Sequence, residues 1–263
     1  MDARALHGHH PSEPATRSSR ARDCASSPRR GFTLIEFLVV ISIVMLLTGI
    51  LMPSLARSRD AADRLRCASN LRQVGGALIG FLDDNNDRLP NLTYIYDSVP
   101  KYCEGMLLTS YEGESLEGLG RLLPCAPMGG YLADARLLYC PCHHGDHPYD
   151  RYAAQIGGRL LDTESGTPAY CNYQYKSPLD PATGKQITSA MLSTKVLVAD
   201  GFRTRSDFNH KNGTNRLFGD CHVDWHADNG NKIYKSLPFS VALEAPVMYK
   251  SIWNLIDGDG MER

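Results

Sequence analysis

The feature that most constrains this chain is an uninterrupted apolar segment from Phe32 to Met52. Its 21 residues include a single ionisable side chain, Glu36. As an α-helix the segment spans about 30 Å, which matches the hydrocarbon core of a bilayer. A soluble core helix of this length normally carries polar residues on one face. The segment therefore predicts a membrane-inserted helix near the N-terminus.

Glu36 adds a second constraint, because a carboxylate inside hydrocarbon costs roughly 2.5–3.5 kcal/mol even on insertion scales and normally has a partner. The apolar segment contains no Lys, Arg or His that could act as one. Two interpretations stay open: Glu36 reaches interfacial water, or a group outside the segment neutralises it. A cut between Gly31 and Phe32 would create an α-amine able to do so, on the same chain or on a neighbouring copy.

Residues 1–31 are compositionally unlike the rest of the chain. They hold six Arg against three acidic residues, a net charge of +3, with few large apolar side chains. Such a segment cannot bury enough surface to fold. Because its positive charge precedes the apolar segment, it is expected on the cytoplasmic side. The whole chain has a net charge of −1, which argues against a nucleic-acid binder that works by neutralising phosphates.

The junction Arg29-Arg30-Gly31-Phe32-Thr33-Leu34-Ile35-Glu36 resembles the prepilin peptidase site of type IV pilins and type II secretion pseudopilins. The resemblance covers Arg29 to about Leu82, and Pro53 falls where that family often has a proline. It implies cleavage by prepilin peptidase after Gly31 and N-methylation of Phe32. It also implies assembly with other pilins or pseudopilins through the N-terminal helices, with Glu36 serving assembly.

A rival interpretation uses the same segment as a conventional signal peptide. Ser54-Leu55-Ala56 places small residues at the positions that signal peptidase requires, so the mature protein would start at Arg57. The apolar segment, however, is longer than a typical 7–15-residue signal core and carries Glu36 early within it. We therefore favour the pilin-like interpretation.

Beyond Ala56 the pattern becomes amphipathic. Apolar residues recur at steps of three and four, which predicts a helix with one buried stripe; they are Ala61, Leu65, Ala68, Leu71, Val74, Leu78 and Leu82. The polar run 83–87 ahead of Pro90 predicts the end of this helix.

These patterns predict four regions: a leader at 1–31, a transmembrane and assembly helix at 32–55, its amphipathic continuation at 56–89, and a globular domain at 90–263. In the last region, short strand-like runs such as 195–199 and 215–218 are separated by Gly, Pro, Asn and Asp turns. The predicted fold is α+β, with the long N-terminal helix packed on a small antiparallel sheet.

The block from His210 to Trp225 resembles a motif near the C-terminus of a large group of bacterial pilin-like proteins. It predicts a β-hairpin with a tight turn at Gly219-Asp220 or Asp220-Cys221. Cys221 stands where that group usually has Gly. We therefore expect the turn to be shifted or strained.

Two groups of side chains invite a metal-binding hypothesis. In the second hairpin strand His222, Asp224 and His226 alternate onto one face, with His210 nearby. The run from Cys140 to His144, which also contains Cys142, offers a second set. The alternative is an exposed hairpin face and a polar loop held by disulfides. Neither group has Cys-x-x-Cys spacing. The aspartate-containing runs 83–87 and 257–260 do not complete a calcium-binding loop either. No cofactor is therefore predicted, although zinc and calcium stay open.

Cysteine usage fits an oxidising compartment. Cleavage after Gly31 leaves seven cysteines, an odd number. Cys67 borders the buried helix face, and Cys140 follows the strand-like run 136–139. The segments 67–73 and 138–141, which contain these cysteines, also resemble segments of the pilin-like group. We therefore predict a Cys67–Cys140 disulfide, with Cys142–Cys171 as second choice.

Together these features predict a pseudopilin-like structural subunit rather than an enzyme. It would be anchored in the bacterial inner membrane by a single span, with its C-terminal domain in the periplasm. A secreted or membrane-anchored metal-binding enzyme and a ligand-binding module, each using the His210–His226 hairpin, remain as alternatives.

Overall fold

The computed structural model describes residues 31–92, 95–96, 99–100, 105–106, 108–109, 115–126, 130–157, 168–176, 195–239 and 245–257. The chain divides into two compact units, 1–52 and 53–263. The leader predicted at 1–31 therefore lies outside the described residues, except for Gly31.

A single helix, α1, runs from Leu34 to Asp84 and contains Pro53 in its interior. This confirms the continuous helix predicted from Phe32 to Leu82, to within two residues at each end. Asn86 and Asp87 follow with φ angles of 55° and 60°. Both residues belong to the polar run that predicted the end of the helix, and Asn and Asp tolerate this left-handed conformation better than most residues.

In the first unit, the apolar side chains of α1 are exposed. Leu34 is 82% exposed and Met52 70%, and the helix is long and apolar enough to cross a membrane. Aliphatic surface of this extent is unfavourable in water, at about 25 cal/mol per Å². This part of α1 therefore requires a non-aqueous environment.

In the second unit, α1 buries one stripe, although the stripe starts later than predicted. Ala61 is exposed and Leu65 is 68% exposed, whereas Arg64 is partly buried and contacts Asn212 of the domain. The first fully buried side chain of α1 is that of Cys67. The predicted positions from Ala68 on are buried. The buried residues of α1 are Cys67, Ala68, Leu71, Val74, Gly75, Ala77, Leu78, Phe81 and Leu82.

The remaining described elements are short. Two-residue strands β1 (Ile95–Tyr96) and β2 (Val99–Pro100) pair with each other. 3₁₀ helices form at Gly118–Leu122 and Ala135–Leu138, so the expectation of a strand before Cys140 was wrong. Asp134 caps the second of these by accepting a hydrogen bond from the Arg136 N–H, which favours the helical turn. The later elements are α2 (Tyr149–Gly157), β3 (Tyr173–Tyr175), β4 (Val196–Asp200), β5 (Gly213–Phe218), β6 (Val223–Ala227), α3 (Lys232–Ser236) and α4 (Ala245–Asp257).

Strands β3, β4, β5 and β6 form an antiparallel sheet in that order. Both strand-like runs of the sequence fall inside it, as β4 and β5. In the β5–β6 hairpin, Gly213 pairs with Ala227 and Leu217 with Val223. The predicted α+β fold, a long helix with a small antiparallel sheet, is confirmed.

Apolar side chains are buried in two clusters. The larger joins the stripe of α1 to Tyr173, Tyr175, Val198 and Leu217 of the sheet. The smaller joins Val196 and Ala199 to α3 and α4. Strand β4 thus contributes to both clusters, which explains its run of five buried residues without polar alternation.

The hairpin turn is centred on Gly219 and Asp220, the first of the two predicted positions. The Cys221 N–H donates to the Phe218 carbonyl at 3.0 Å, and Cys221 has a φ of 67°. The expected backbone strain therefore falls on Cys221, since a residue with a Cβ rarely adopts this conformation.

Gly75 explains how closely the hairpin approaches α1. A Cβ at Gly75 would lie 2.9 Å from Cys221 Sγ and 3.0 Å from Leu217 Cδ1, whereas a Cβ at Gly76 would meet nothing within 4 Å. Only the first of these adjacent glycines is required by packing.

Gly75→Ala and Gly76→Ala form a matched pair that tests this packing. Replacing either glycine improves helix propensity by about 0.5–1 kcal/mol, and Gly76→Ala should raise the free energy of unfolding by that amount. Gly75→Ala should be at least about 1 kcal/mol less stable than Gly76→Ala, because the added methyl overpacks the contact. Chemical unfolding of the full chain in detergent measures both. Equal stabilisation by the two substitutions would contradict the close contact.

Candidate functional site

The N-terminus of α1 holds Glu36 in a capping box. The Thr33 N–H and hydroxyl donate to Glu36 Oε2 at 2.8 and 2.7 Å, and the Glu36 N–H donates to Thr33 Oγ1 at 3.3 Å. This reciprocal arrangement is the one expected of a Thr-x-x-Glu sequence at a helix start. The Thr-x-x-Glu pattern could have predicted it, but the sequence analysis treated Glu36 only as a charge that needs interfacial water or a partner outside the apolar segment.

The peptide bond between Gly31 and Phe32 lies outside the helix. Residues 31–33 are non-helical and Phe32 is 72% exposed. A Cβ at Gly31 would meet nothing within 4 Å. None of the described residues from 31 to 52 therefore covers the predicted cleavage site.

A second site lies where the C-terminal half of α1 meets the loops of the domain. Cys67 and Cys140 form a disulfide, with their Cα atoms 5.3 Å apart. Cys142 Sγ lies 3.7 Å from Cys67 Sγ and 3.2 Å from Cys140 Sγ. His210 Nδ1 is 3.6 Å from Cys142 Sγ, and His210 Nε2 is 3.7 Å from Cys140 Sγ. We call these four residues the cysteine–histidine cluster.

Burial keeps the titratable members of this cluster neutral. It lowers the pKa of His210 to about 4 and raises the pKa of the Cys142 thiol to about 12. Removal from water disfavours the charged form of each group, the imidazolium and the thiolate respectively. At neutral pH, the thiol and the imidazole are therefore both uncharged.

Asp200, at the end of β4, lies directly beside the cluster. Its Oδ2 is 3.4 Å from His210 Nε2 and accepts hydrogen bonds from the backbone and side chain of Asn215 at 2.7 and 2.9 Å. Its Oδ1 is buried without a hydrogen-bond partner among the described residues. Burial raises the pKa of Asp200 to about 7. Sequence analysis missed this residue, because an Asp closing an apolar strand gives no local sign of what it faces.

A polar network extends from the cluster through the neighbouring loop. His143 Nδ1 is 2.6 Å from Asn209 Oδ1, and the His147 N–H donates to His143 Nε2 at 3.3 Å. His147 in turn contacts the Tyr152 hydroxyl at 2.7 Å and Arg203 Nη1 at 2.7 Å. These contacts fix the loop that carries Cys140 and Cys142.

The structure separates the metal candidates of the hairpin from His210. The Asp224 carboxylate accepts a bidentate hydrogen bond from the Arg216 guanidinium. His222 pairs with Asp220 and stacks on Phe218. His210 lies among the cysteines instead. Among the described residues, the Cys, His, Asp and Glu side chains close enough to share a metal are those of the cysteine–histidine cluster. Sequence analysis placed Cys140 and Cys142 in one candidate set and His210 in the other, and treated Cys67 only as a disulfide partner.

The second-choice disulfide is not formed. Cys142 and Cys171 are both free thiols. Cys171 Sγ is fully buried and lies 3.2 Å from the Tyr173 carbonyl oxygen, while Cys142 faces the cluster. The expectation of a Cys142–Cys171 bridge was therefore wrong.

Comparison with known proteins matches residues 26–52 to the prokaryotic N-terminal methylation motif. The chain is 28% identical to the type II secretion system core protein G of Escherichia coli over 136 residues, 52% of this chain and 88% of that protein. It is 40% identical to core protein G of Klebsiella pneumoniae over 58 residues, which cover 22% of this chain and 41% of that protein. No solved structure matches. These matches confirm the resemblance to pseudopilins at the N-terminus.

Non-reducing peptide mapping of air-oxidised, chelator-treated protein tests the arrangement of the cysteines. The peptides containing Cys67 and Cys140 should be recovered linked, and Cys142 and Cys171 as free thiols. Because 72 residues lie between the linked cysteines, the bridge should add about 4 kcal/mol to the free energy of unfolding in the chain-entropy model. Cys140→Ser should lose most of this, with Cys125→Ser as the control. A free Cys67 thiol in the folded, oxidised protein would contradict the bridge.

Proposed function

We propose that this chain is a pseudopilin-like structural subunit of a type II secretion or type IV pilus-related apparatus. The observation that carries the proposal is the division of α1 into two kinds of surface. Its first part presents uncovered aliphatic side chains within the matched methylation motif, whereas its second part belongs to the core of a folded domain. A subunit that assembles through one end of a helix needs both an uncovered aliphatic surface for assembly and a packed surface that holds its domain.

Processing and assembly follow from the same residues. Prepilin peptidase cuts between Gly31 and Phe32, and Phe32 is then N-methylated. The aliphatic part of α1 packs against the equivalent helices of other pseudopilins. In hydrocarbon this packing comes from van der Waals contact and from satisfying polar groups such as Glu36.

The proposed location is the bacterial inner membrane, crossed once, with the domain in the periplasm. An apolar helix of this length supports membrane anchoring, and the positively charged leader supports a cytoplasmic N-terminus before cleavage.

The protonation states of Cys142 and His210, the pair that most resembles a catalytic dyad, favour a structural role over catalysis. Cys142 and His210 are 3.6 Å apart, as in a thiol–imidazole dyad. A reactive dyad requires a thiolate with a lowered pKa. Here burial raises the pKa of the thiol and lowers that of the imidazole, so the pair is not activated.

The capping box makes it possible to separate two roles of Glu36 in assembly. Glu36→Gln retains a side chain that can accept hydrogen bonds from Thr33 but removes the negative charge. Thr33→Val removes the hydroxyl and keeps the charge. If the carboxylate neutralises the α-amine of a mature Phe32, Glu36→Gln should insert in the membrane but incorporate poorly into filaments. Thr33→Val should incorporate nearly as well as the wild type.

Incorporation is measured by quantifying the chain in sheared, sedimented filaments relative to the membrane fraction. Glu36→Ala, which removes both the charge and the capping acceptor, should be at least as defective as Glu36→Gln. Normal incorporation of Glu36→Gln would contradict the charge-pairing role. Near-normal incorporation of Glu36→Gln together with a defect in Thr33→Val would assign Glu36 to helix capping instead.

A further inference from the structure

The cysteine–histidine cluster brings together donors from three separate parts of the chain. Cys67 belongs to α1, Cys140 and Cys142 to the loop after the second 3₁₀ helix, and His210 to the segment before β5. Their candidate ligand atoms all lie within 4.8 Å of one another. Chain segments that are distant in sequence thus converge on one point.

The distances match those of a tetrahedral metal site. With metal–sulfur bonds of about 2.3 Å and metal–nitrogen bonds of about 2.05 Å, a tetrahedron has S···S edges of about 3.8 Å and S···N edges of about 3.6 Å. Cys142 Sγ is 3.7 Å from Cys67 Sγ and 3.6 Å from His210 Nδ1, the ring nitrogen that remains available for a metal when Nε2 faces Asp200. The edges that depart from this geometry are Cys140–Cys142, at 3.2 Å, and the bonded pair Cys67–Cys140.

The type of donor selects the metal. Three sulfurs and one imidazole form one of the common structural zinc sets, whereas calcium requires six to eight oxygen ligands. Cys67, Cys140 and His210 are buried, and Cys142 is partly exposed, so one side of the cluster is open to an entering ion.

The surroundings suit a metal-bound imidazole. Asp200 Oδ2 lies 3.4 Å from His210 Nε2, as in the carboxylate–histidine–metal arrangements that orient zinc ligands. The His210 ring also packs edge-on against Trp225, and the Arg64 guanidinium lies 4.3 Å from the Trp225 ring centre.

We propose that Cys67, Cys140, Cys142 and His210 bind Zn²⁺ when the three thiols are reduced, forming a structural Cys₃His site. Binding displaces three thiol protons to solvent, and the site then carries a net charge of −1 with a neutral imidazole. The zinc-bound state and the Cys67–Cys140 disulfide are alternatives, since the disulfide removes two of the four ligands. No oxidation or reduction is part of binding itself.

Metal binding would join α1 to both the Cys140 loop and the start of the hairpin. The disulfide joins α1 to the loop alone. Zinc would therefore also fix His210, which the disulfide leaves without a covalent tie.

Metal analysis of the full chain in detergent tests the proposal. The reduced protein is equilibrated anaerobically with Zn²⁺, passed through a desalting column and assayed for zinc by mass spectrometry. The wild type should retain about one zinc per chain, and Cys142→Ser and His210→Gln should retain less than about one-tenth of that amount. Cys125→Ser, a thiol of similar partial burial outside the cluster, should bind like the wild type.

Two further measurements keep the result interpretable. Co²⁺ in place of Zn²⁺ should give the intense visible bands of a tetrahedral ion and a sulfur-to-metal charge-transfer band in the wild type and Cys125→Ser only. Circular dichroism of oxidised Cys142→Ser, which retains both partners of the disulfide, establishes that this variant folds. Absence of zinc from the reduced wild type, or equal zinc retention by folded Cys142→Ser, would overturn the proposal.

Discussion

One helix that must satisfy two environments is the constraint on which the rest of the structure depends. The first part of α1 exposes aliphatic side chains that water cannot accommodate, and the second part supplies the main stripe of the domain core. Because the helix is continuous through Pro53, the two requirements cannot be met by separate segments. The domain packs on the second part of a helix whose first part is long and apolar enough to cross a membrane.

Much of this could be predicted from the sequence because the signals are local. The apolar run, the strand β4 and the hairpin turn at Gly219–Asp220 each follow from residues within a few positions of one another. Leu65 could not be assigned correctly in this way. Its spacing fits the buried stripe, but burial of a helix position depends on which side of the helix the partner surface covers, and Leu65 is exposed although the neighbouring Arg64 contacts the domain.

In the candidate sites, too, the features that depend on neighbouring residues could be predicted, and those that depend on tertiary contact could not. The Thr33–Glu36 capping box is a local pattern that the sequence predicts. The pairing of Cys67 with Cys140 could also be predicted from the sequence. The contact between Cys142 and His210 could not be predicted, since 67 residues lie between them and both were assigned to other partners. Asp200 entered the site only through tertiary contact, as a buried carboxyl facing His210. Whether by disulfide or by zinc, the cluster fastens α1 to its domain at the point where burial of the helix begins.

The central claim is that α1 is retained as an assembly helix after a cut at Gly31, which sets this chain apart from a secreted domain with a cleaved signal peptide. Intact-mass and N-terminal peptide mass spectrometry of the mature protein, isolated from cells that contain prepilin peptidase, tests it most directly. The account predicts a chain that starts at N-methylated Phe32 and is recovered with membranes. A mature chain that starts at Arg57 would contradict it, because such a protein would lack the helix on which the proposed assembly depends.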